Sequence, residues 1–435
     1  MRQVKAGKRL KVTYPTSPEE FFDVVSEIDT LADRWIANHV NRFDPLAWDD
    51  EDDRHFRRKA FSELCLYLYV RDGHRGGDVN YADRVVKRIN DPRYYRLPIR
   101  HPREFLLYYA AFLYANETGV LDADAKTVPE RVLEQPAVWS VELPPFRLLE
   151  LWFFCCAYGY ETDRLNPDAV IATSCLNRQF DVVNSIDQDA YALTHNVFYY
   201  RNFGIPHPAF SSDPAPYDLR TTLIALILRY LAEGNTDVVL ELLVAGVLQD
   251  QLPREIEYLA LSWVYVRSDS LGFVPGPEFR QAHRDVTGPD DADVVVDNYH
   301  STFVAAIATT VVRQHVKVDR TADFPLDDRT VTGLLELGGA LHELSEYNLR
   351  RGASLLSNAA GRSLGGVYGE IIGLAVEYLL SQNVNGQFGV FTDEEYLYLA
   401  AGGDSDQFSR EMVCPVTEGC QEVVQDLGPG EEQQS

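Results

Sequence analysis

Apolar residues recur along most of this chain at three- and four-residue intervals, the spacing of a helix with one buried face. Ser17-Pro18-Glu19-Glu20 is a capping box, with Ser17 as N-cap and Pro18 at N1. It opens a helix whose apolar face is Phe21, Phe22, Val24, Val25, Ile28, Leu31 and Trp35. The same periodicity predicts helices over 55–70 and 79–90, the second ended by Asp91-Pro92. Further helices follow at 103–116 and 145–158, and one opened by Asn166-Pro167 runs through Cys175. The stretch 187–204, DQDAYALTHNVFYYRNFG, reads as a helix running into a glycine loop. Beyond it lie helices over 216–233, one capped by Thr236, and one opened by Pro253. Next comes a short run of valines, then helices at 298–314, 331–349, 366–380 and 393–400. The acid run Asp49 to Asp53 reads as a solvated loop. No period-two stretch with hairpin dipeptides occurs and no βαβ rhythm, so the fold class is all-α.

The helices come in pairs of about a dozen residues separated by loops rich in Gly and Pro. Three of those loops, NFGIPHP (202–208), LGFVPGP (271–277) and NGQFGVF (385–391), set glycine beside phenylalanine. With Gln382 the last gives Q-x-x-x-G-x-F, which resembles a degenerate form of the glutamine–aromatic repeat of terpenoid cyclases and related α/α toroids. Enough hairpins are present to close a ring of about six; an open α-solenoid is the alternative and would show a steadier period. Residues 1–16 are expected to form a flexible arm, 17–401 a single toroid domain, and 402–435 a polar, partly disordered tail.

The block ALTHNVFYYRNFG, together with NYHSTFVAAIA, resembles uncharacterised bacterial and archaeal proteins whose segments read ALTH-x-x-FY-x-x-(D/N)FG and YHTT. That resemblance implies an α/α-toroid shape and supplies no activity. Where such relatives carry Asp before the FG, this chain has Asn202.

Charge narrows the partners. The formal net charge of −26 repels phosphate backbones, so nucleic acid is excluded as a partner on this reading. Lysine is scarce against arginine, seven to 33 among the 40 basic residues, and only two Met occur. This combination resembles salt-adapted haloarchaeal proteins, whose surface carboxylates hold water where salt screens charge to within about 3 Å at 1 M. No apolar run approaches the ~20 residues that span a bilayer, so no membrane partner is expected either. The basic N-terminus lacks the apolar core of a signal peptide, and a cytoplasmic setting with free thiols is expected.

Candidate chemistry centres on two histidines. Tyr191, His195 and Tyr199 lie at i, i+4 and i+8 and share a helix face; His300 sits among Tyr299, Ser301 and Thr302. An imidazole lining a toroid's cavity is a natural proton shuttle, whereas a buried, hydrogen-bonded histidine would only fix helix contacts. Glu150, inside the apolar LLELWFFCC, is a candidate general acid or an ion-pair partner of Arg147. The candidate catalytic set is therefore His195, His300, Tyr199 and Glu150. Cys155, Cys156 and Cys175 with His195 and His300 have zinc-ligand chemistry but none of the C-x-x-C or H-E-x-x-H spacing, so no metal or cofactor is expected. No P-loop, G-x-G-x-x-G or G-x-S-x-G occurs. Two functions remain: an enzyme acting on a small molecule, a lipid-like substrate or a peptide in an aromatic-lined cavity with His as acid/base, or a non-catalytic scaffold for a partner protein.

If the acidic surface is a salt adaptation, the melting temperature rises from dilute buffer to molar KCl as screening relieves carboxylate repulsion. A scan across that range that stays flat removes the halophilic reading.

Overall fold

A computed structural model describes residues 17–382, except 48–50, 76–78, 161–162, 179, 209, 211–217, 278, 280–291, 316–326 and 363. The expected N-terminal arm and C-terminal tail, the loop at 385–391 and the helix at 393–400 lie outside the described residues. Helices and 3-10 turns account for the regular structure there, and no strand occurs among the described residues. The chain forms two compact units, residues 1–326 and 327–435, so the division falls inside the span 17–401 that the sequence reads as one domain.

The first unit holds α1 (Pro18–His39), α2 (Glu51–Arg75), α3 (Ala82–Ile89), α4 (Tyr109–Glu117), α5 (Pro145–Tyr158) and α6 (Pro167–Thr173). It continues with α7 (Asp187–Tyr200), α8 (Arg220–Glu233), α9 (Thr236–Leu248), α10 (Arg254–Asp269) and α11 (Ala292–His315). Six of them pack in a cycle: α2 on α4, α4 on α5, α5 on α7, α7 on α9, α9 on α11, and α11 back on α2. The others lie against members of that cycle, α1 on α11, α3 on α4, α6 on α5, and α8 and α10 on α9. Every residue of α9 is buried, including Asp237 and Glu241. An apolar helix covered on all sides is what its near-continuous Val and Leu content dictates.

The second unit packs α12 (Asp328–Ser345), α13 (Leu349–Ala360) and α14 (Val367–Gln382) against one another. Asp327 caps α12 by accepting from the Thr330 amide at 2.6 Å. The sequence reads α12 and the start of α13 as one helix; the break falls at Tyr347, whose φ is 62°.

Three other elements differ from expectation. Residues 51–53 are the first turn of α2 rather than loop, where the carboxylates of Asp52 and Asp53 offset the positive end of the helix. Asn235, not Thr236, caps α9, accepting from the Val238 amide at 3.2 Å. The valines 294–296 belong to α11, which therefore starts earlier than its polar-interrupted pattern suggests.

Two of the glycine–phenylalanine loops brace the cycle. At 202–204, Asn202, Phe203 and Gly204 have φ of 47°, 52° and 79°, three successive left-handed residues. Tyr69 Oη donates to Asn202 Oδ1 at 2.7 Å, and Asn202 Nδ2 donates to the Ile205 carbonyl at 2.9 Å. Asparagine supplies both an acceptor and a donor here, which aspartate does not. In the second loop the Gly276 amide donates to Asn298 Oδ1 at 2.7 Å, laying the loop along α11. A Cβ at Gly276 would stand 2.0 Å from the Asp297 carbonyl oxygen, a backbone atom that cannot swing aside.

Gly276→Ala is accordingly expected to cost roughly 1–3 kcal/mol through forced displacement of the loop. A denaturant midpoint equal to that of the native chain contradicts that close approach.

Candidate functional site

The six cyclically packed helices supply most of the lining of a half-open cavity of about 940 Å³. Each contributes polar side chains at helical spacing: Lys59 and Glu63 from α2, Tyr109 from α4, Arg147 and Glu150 from α5, Tyr191, His195 and Tyr199 from α7, Asp237 and Glu241 from α9, and His300 from α11. All four sequence-named candidates, His195, His300, Tyr199 and Glu150, therefore line one space. Cys155, Cys156 and Cys175 are not among its lining residues. Burial pushes the Cys155 thiol up to about 12, away from thiolate chemistry.

One wall carries an ion pair whose carboxylate is buried and whose guanidinium is half-exposed. Arg147 Nη1 donates to Glu150 Oε2 at 2.5 Å, while Tyr109 Oη and Tyr199 Oη donate to Glu150 Oε1 at 3.2 and 3.1 Å. Both Glu150 oxygens are thus engaged. Burial, reinforced by that carboxylate, raises the Tyr199 phenol well above its ordinary range, so it stays a hydrogen-bond donor.

The opposite wall carries what the sequence did not single out. Asp237 and Glu241 stand one turn apart on α9, each only 2% exposed. Asp237 is fully partnered: Tyr191 Oη donates to Oδ2 at 2.6 Å, and His300 Nδ1 and Ser301 Oγ donate to Oδ1 at 2.8 and 3.0 Å. Those bonds tie α7 and α11 to α9. They also keep Asp237 below the usual carboxylate range: burial pushes it up, but the His300 charge and its hydrogen bonds prevail. Burial works equally against a charged His300, and Asp237 with Glu63 outweighs it, carrying the imidazole up to about 10.

Glu241 has the contrary balance. Burial, then the neighbouring Asp237 charge, pushes it up to about 8. Its surroundings agree with a proton there. Thr194 Oγ lies 2.6 Å from Glu241 Oε2 and 3.1 Å from the Tyr191 carbonyl, and one hydroxyl hydrogen cannot serve both acceptors. A protonated Glu241 donating to Thr194, with Thr194 donating to the carbonyl, satisfies the chain of bonds.

His195 lies between the two walls. Its Nδ1 is 2.6 Å from the Tyr191 carbonyl and 3.7 Å from Glu241 Oε2. A carbonyl only accepts, so Nδ1 carries the hydrogen and Nε2 of the neutral ring keeps its lone pair. Burial lowers this imidazole to about 4, which keeps it neutral. Phe146, Tyr191, Phe198 and Tyr199 pack around the ring, and the 22% of its side chain left accessible belongs to the cavity lining. Across the cavity Glu63 Oε1 stands 3.7 Å from Lys59 Nζ and 3.9 Å from His300 Nε2.

Together these features define an all-helical protein whose first unit holds a half-open, largely apolar cavity set with histidines and carboxylates. The chain belongs to the family described as a domain of unknown function (DUF6895), whose model matches residues 30–310 and so takes in every side chain of the site. No curated protein and no solved structure matches it. No helix among the described residues is long and apolar enough to cross a membrane.

The two α9 carboxylates should respond oppositely to substitution. Asp237→Ala strands His300, Ser301 and Tyr191 and is expected to cost about 3–5 kcal/mol, as breaking a buried pair does. Glu241→Gln replaces a proton-bearing carboxyl by an amide that still donates to Thr194 and no longer ionises beside Asp237, so stability stays equal or rises. Chemical denaturation of both variants checks this, and a Glu241→Gln loss as large as that of Asp237→Ala contradicts the assignment.

Proposed function

We propose that this protein is an enzyme acting on a small molecule inside the cavity of its first unit, read as the centre of an α/α toroid. The observation that carries the reading is the placement of Asp237 and Glu241 side by side in the most apolar helix. A packed core gains nothing from two adjacent carboxylates, whereas a reaction site tolerates such a cost for its chemistry. His195 is the proton acceptor in this reading. Its Nε2 lone pair is unprotonated by virtue of the Nδ1 bond to Tyr191, and its ring is clamped by four aromatic neighbours. Tyr199 and Tyr109 present hydroxyls beside it that orient a bound polar group. Glu150, neutralised by Arg147, serves here as the anchor of those hydroxyls rather than as the general acid. Five carboxylates line the cavity against Lys59, Arg147 and the imidazoles, which favours a ligand carrying amino or hydroxyl groups over an anionic one.

The test does not require a known substrate. Native protein and His195→Ala are each incubated with a cell-derived small-molecule extract, and consumption is followed by mass spectrometry. The expected result is a compound consumed by native protein and spared by the variant, with both melting at the same temperature because the His195 bond is local to α7. Consumption unchanged by His195→Ala, no consumption by native protein, or a variant that loses several kcal/mol of stability, would each overturn the catalytic reading and favour a scaffold.

A further inference from the structure

In the cavity His300 Nε2 faces two glutamate oxygens at distances too long for hydrogen bonds. His300 Nε2 is 3.9 Å from Glu63 Oε1 and 3.9 Å from Glu241 Oε1. Glu241 is almost wholly buried, yet its only hydrogen bond among the described residues is on Oε2, to Thr194, so Oε1 is aimed into the cavity unpartnered. An entering cation would displace the proton held on Glu241 and the one on His300 Nε2, leaving a carboxylate oxygen and a nitrogen lone pair aimed at it. The opposite side of the His300 ring is already committed, Nδ1 donating to Asp237 at 2.8 Å. That bond fixes the ring's orientation and directs Nε2 at the two glutamates.

We propose that this gap is a binding site for a first-row divalent cation, held by His300 Nε2, Glu63 and Glu241, with Asp237 as the residue that positions the imidazole. Ligand atoms each about 2.1 Å from one ion stand no more than about 4.2 Å apart: both separations from His300 Nε2 meet that limit, while Glu63 and Glu241 have to draw closer to each other to share the ion. One ligand atom from each of Asp237, Glu241 and His300 lies within 4.8 Å of the other two, which leaves Asp237 close enough to shift in as a further ligand. A carboxylate accepting from the distal nitrogen of a ligating histidine is the usual outer support of such sites. One imidazole among carboxylates suits Mn2+, Fe2+ or Zn2+ better than Mg2+ or Ca2+, which take oxygen alone. The expectation of no metal weighed thiols together with His195 and His300; this donor set shares His300 with that one and has carboxylates in place of the thiols. The remaining positions around the ion open onto the cavity beside His195, where a ligand oxygen or water would be polarised.

The inference deepens the cavity reading but fails separately from it. Full-length protein, prepared without affinity metal and stripped with chelator, is titrated with Mn2+ in 1 M KCl so that the acidic surface is screened. Free Mn2+ is read by its electron paramagnetic resonance signal, and melting temperature is followed in parallel. The expected result is one saturable site per chain with a raised melting temperature. Binding should weaken at least 10-fold in Glu241→Gln and in Glu63→Gln, and both variants should melt normally without metal. Should either variant fail to fold, His300→Gln read by the same signal takes its place. No saturable site, or equal binding in all the variants, overturns the inference. Turnover that persists in stripped protein overturns it too while leaving the enzyme reading intact, whereas one Mn2+ per chain with no turnover sinks only the latter.

Discussion

A carboxylate buried in an apolar helix has to find donors, and Asp237 finds three, on two different helices. Tyr191 reaches it from α7, and His300 with Ser301 reaches it from α11. The bonds do what apolar packing alone does not, since Val and Leu faces slide past one another with small losses. They fix the rotation of α7 and α11 about their axes and so decide which side chains look into the cavity. With α7 so rotated, His195 and Tyr199 face inward; with α11 so rotated, the second nitrogen of His300 points across the space. The site is thus a by-product of satisfying one buried charge.

Glu241, one turn away, shows the difference between a carboxylate that holds the fold and one that burdens it. It shares the burial of Asp237 but not the partners, and like charge beside it raises its proton affinity. Structure and strain sit on successive turns of the same helix.

The helical class, most helix bodies and the inward face of α7 are legible in the sequence because they rest on local periodicity. Tyr191, His195 and Tyr199 share a stripe in any α-helix. Glu150 was named with its ion-pair partner Arg147, and the two are paired. What the sequence withheld is non-local. Asp237 looks like an ordinary acid of a first helical turn, and only the burial of that turn makes it unusual. The Asp-x-x-x-Glu spacing in a run of Val and Leu was the available signal, since two acids on one face of a wholly apolar helix have no solvent to meet. Glu63 offers no such signal, because α2 is polar enough along its length to hide one inward acid. Helix boundaries failed where charge misled, as at Glu51, or where β-branched residues hid a helical turn, as at 294–296.

Closure of the helix cycle has a kinetic corollary. The contact that completes it joins α2 to α11, elements more than two hundred residues apart along the chain. Contacts of that span form only after a large loop has been gathered in, which slows folding. On a ribosome delivering the chain from its N-terminus, α2 waits, with its inward face uncovered on one side, until α11 has emerged. Glu63 and Lys59 on that face keep the waiting surface polar, so the same residues that furnish the cavity would also discourage premature association of the nascent chain.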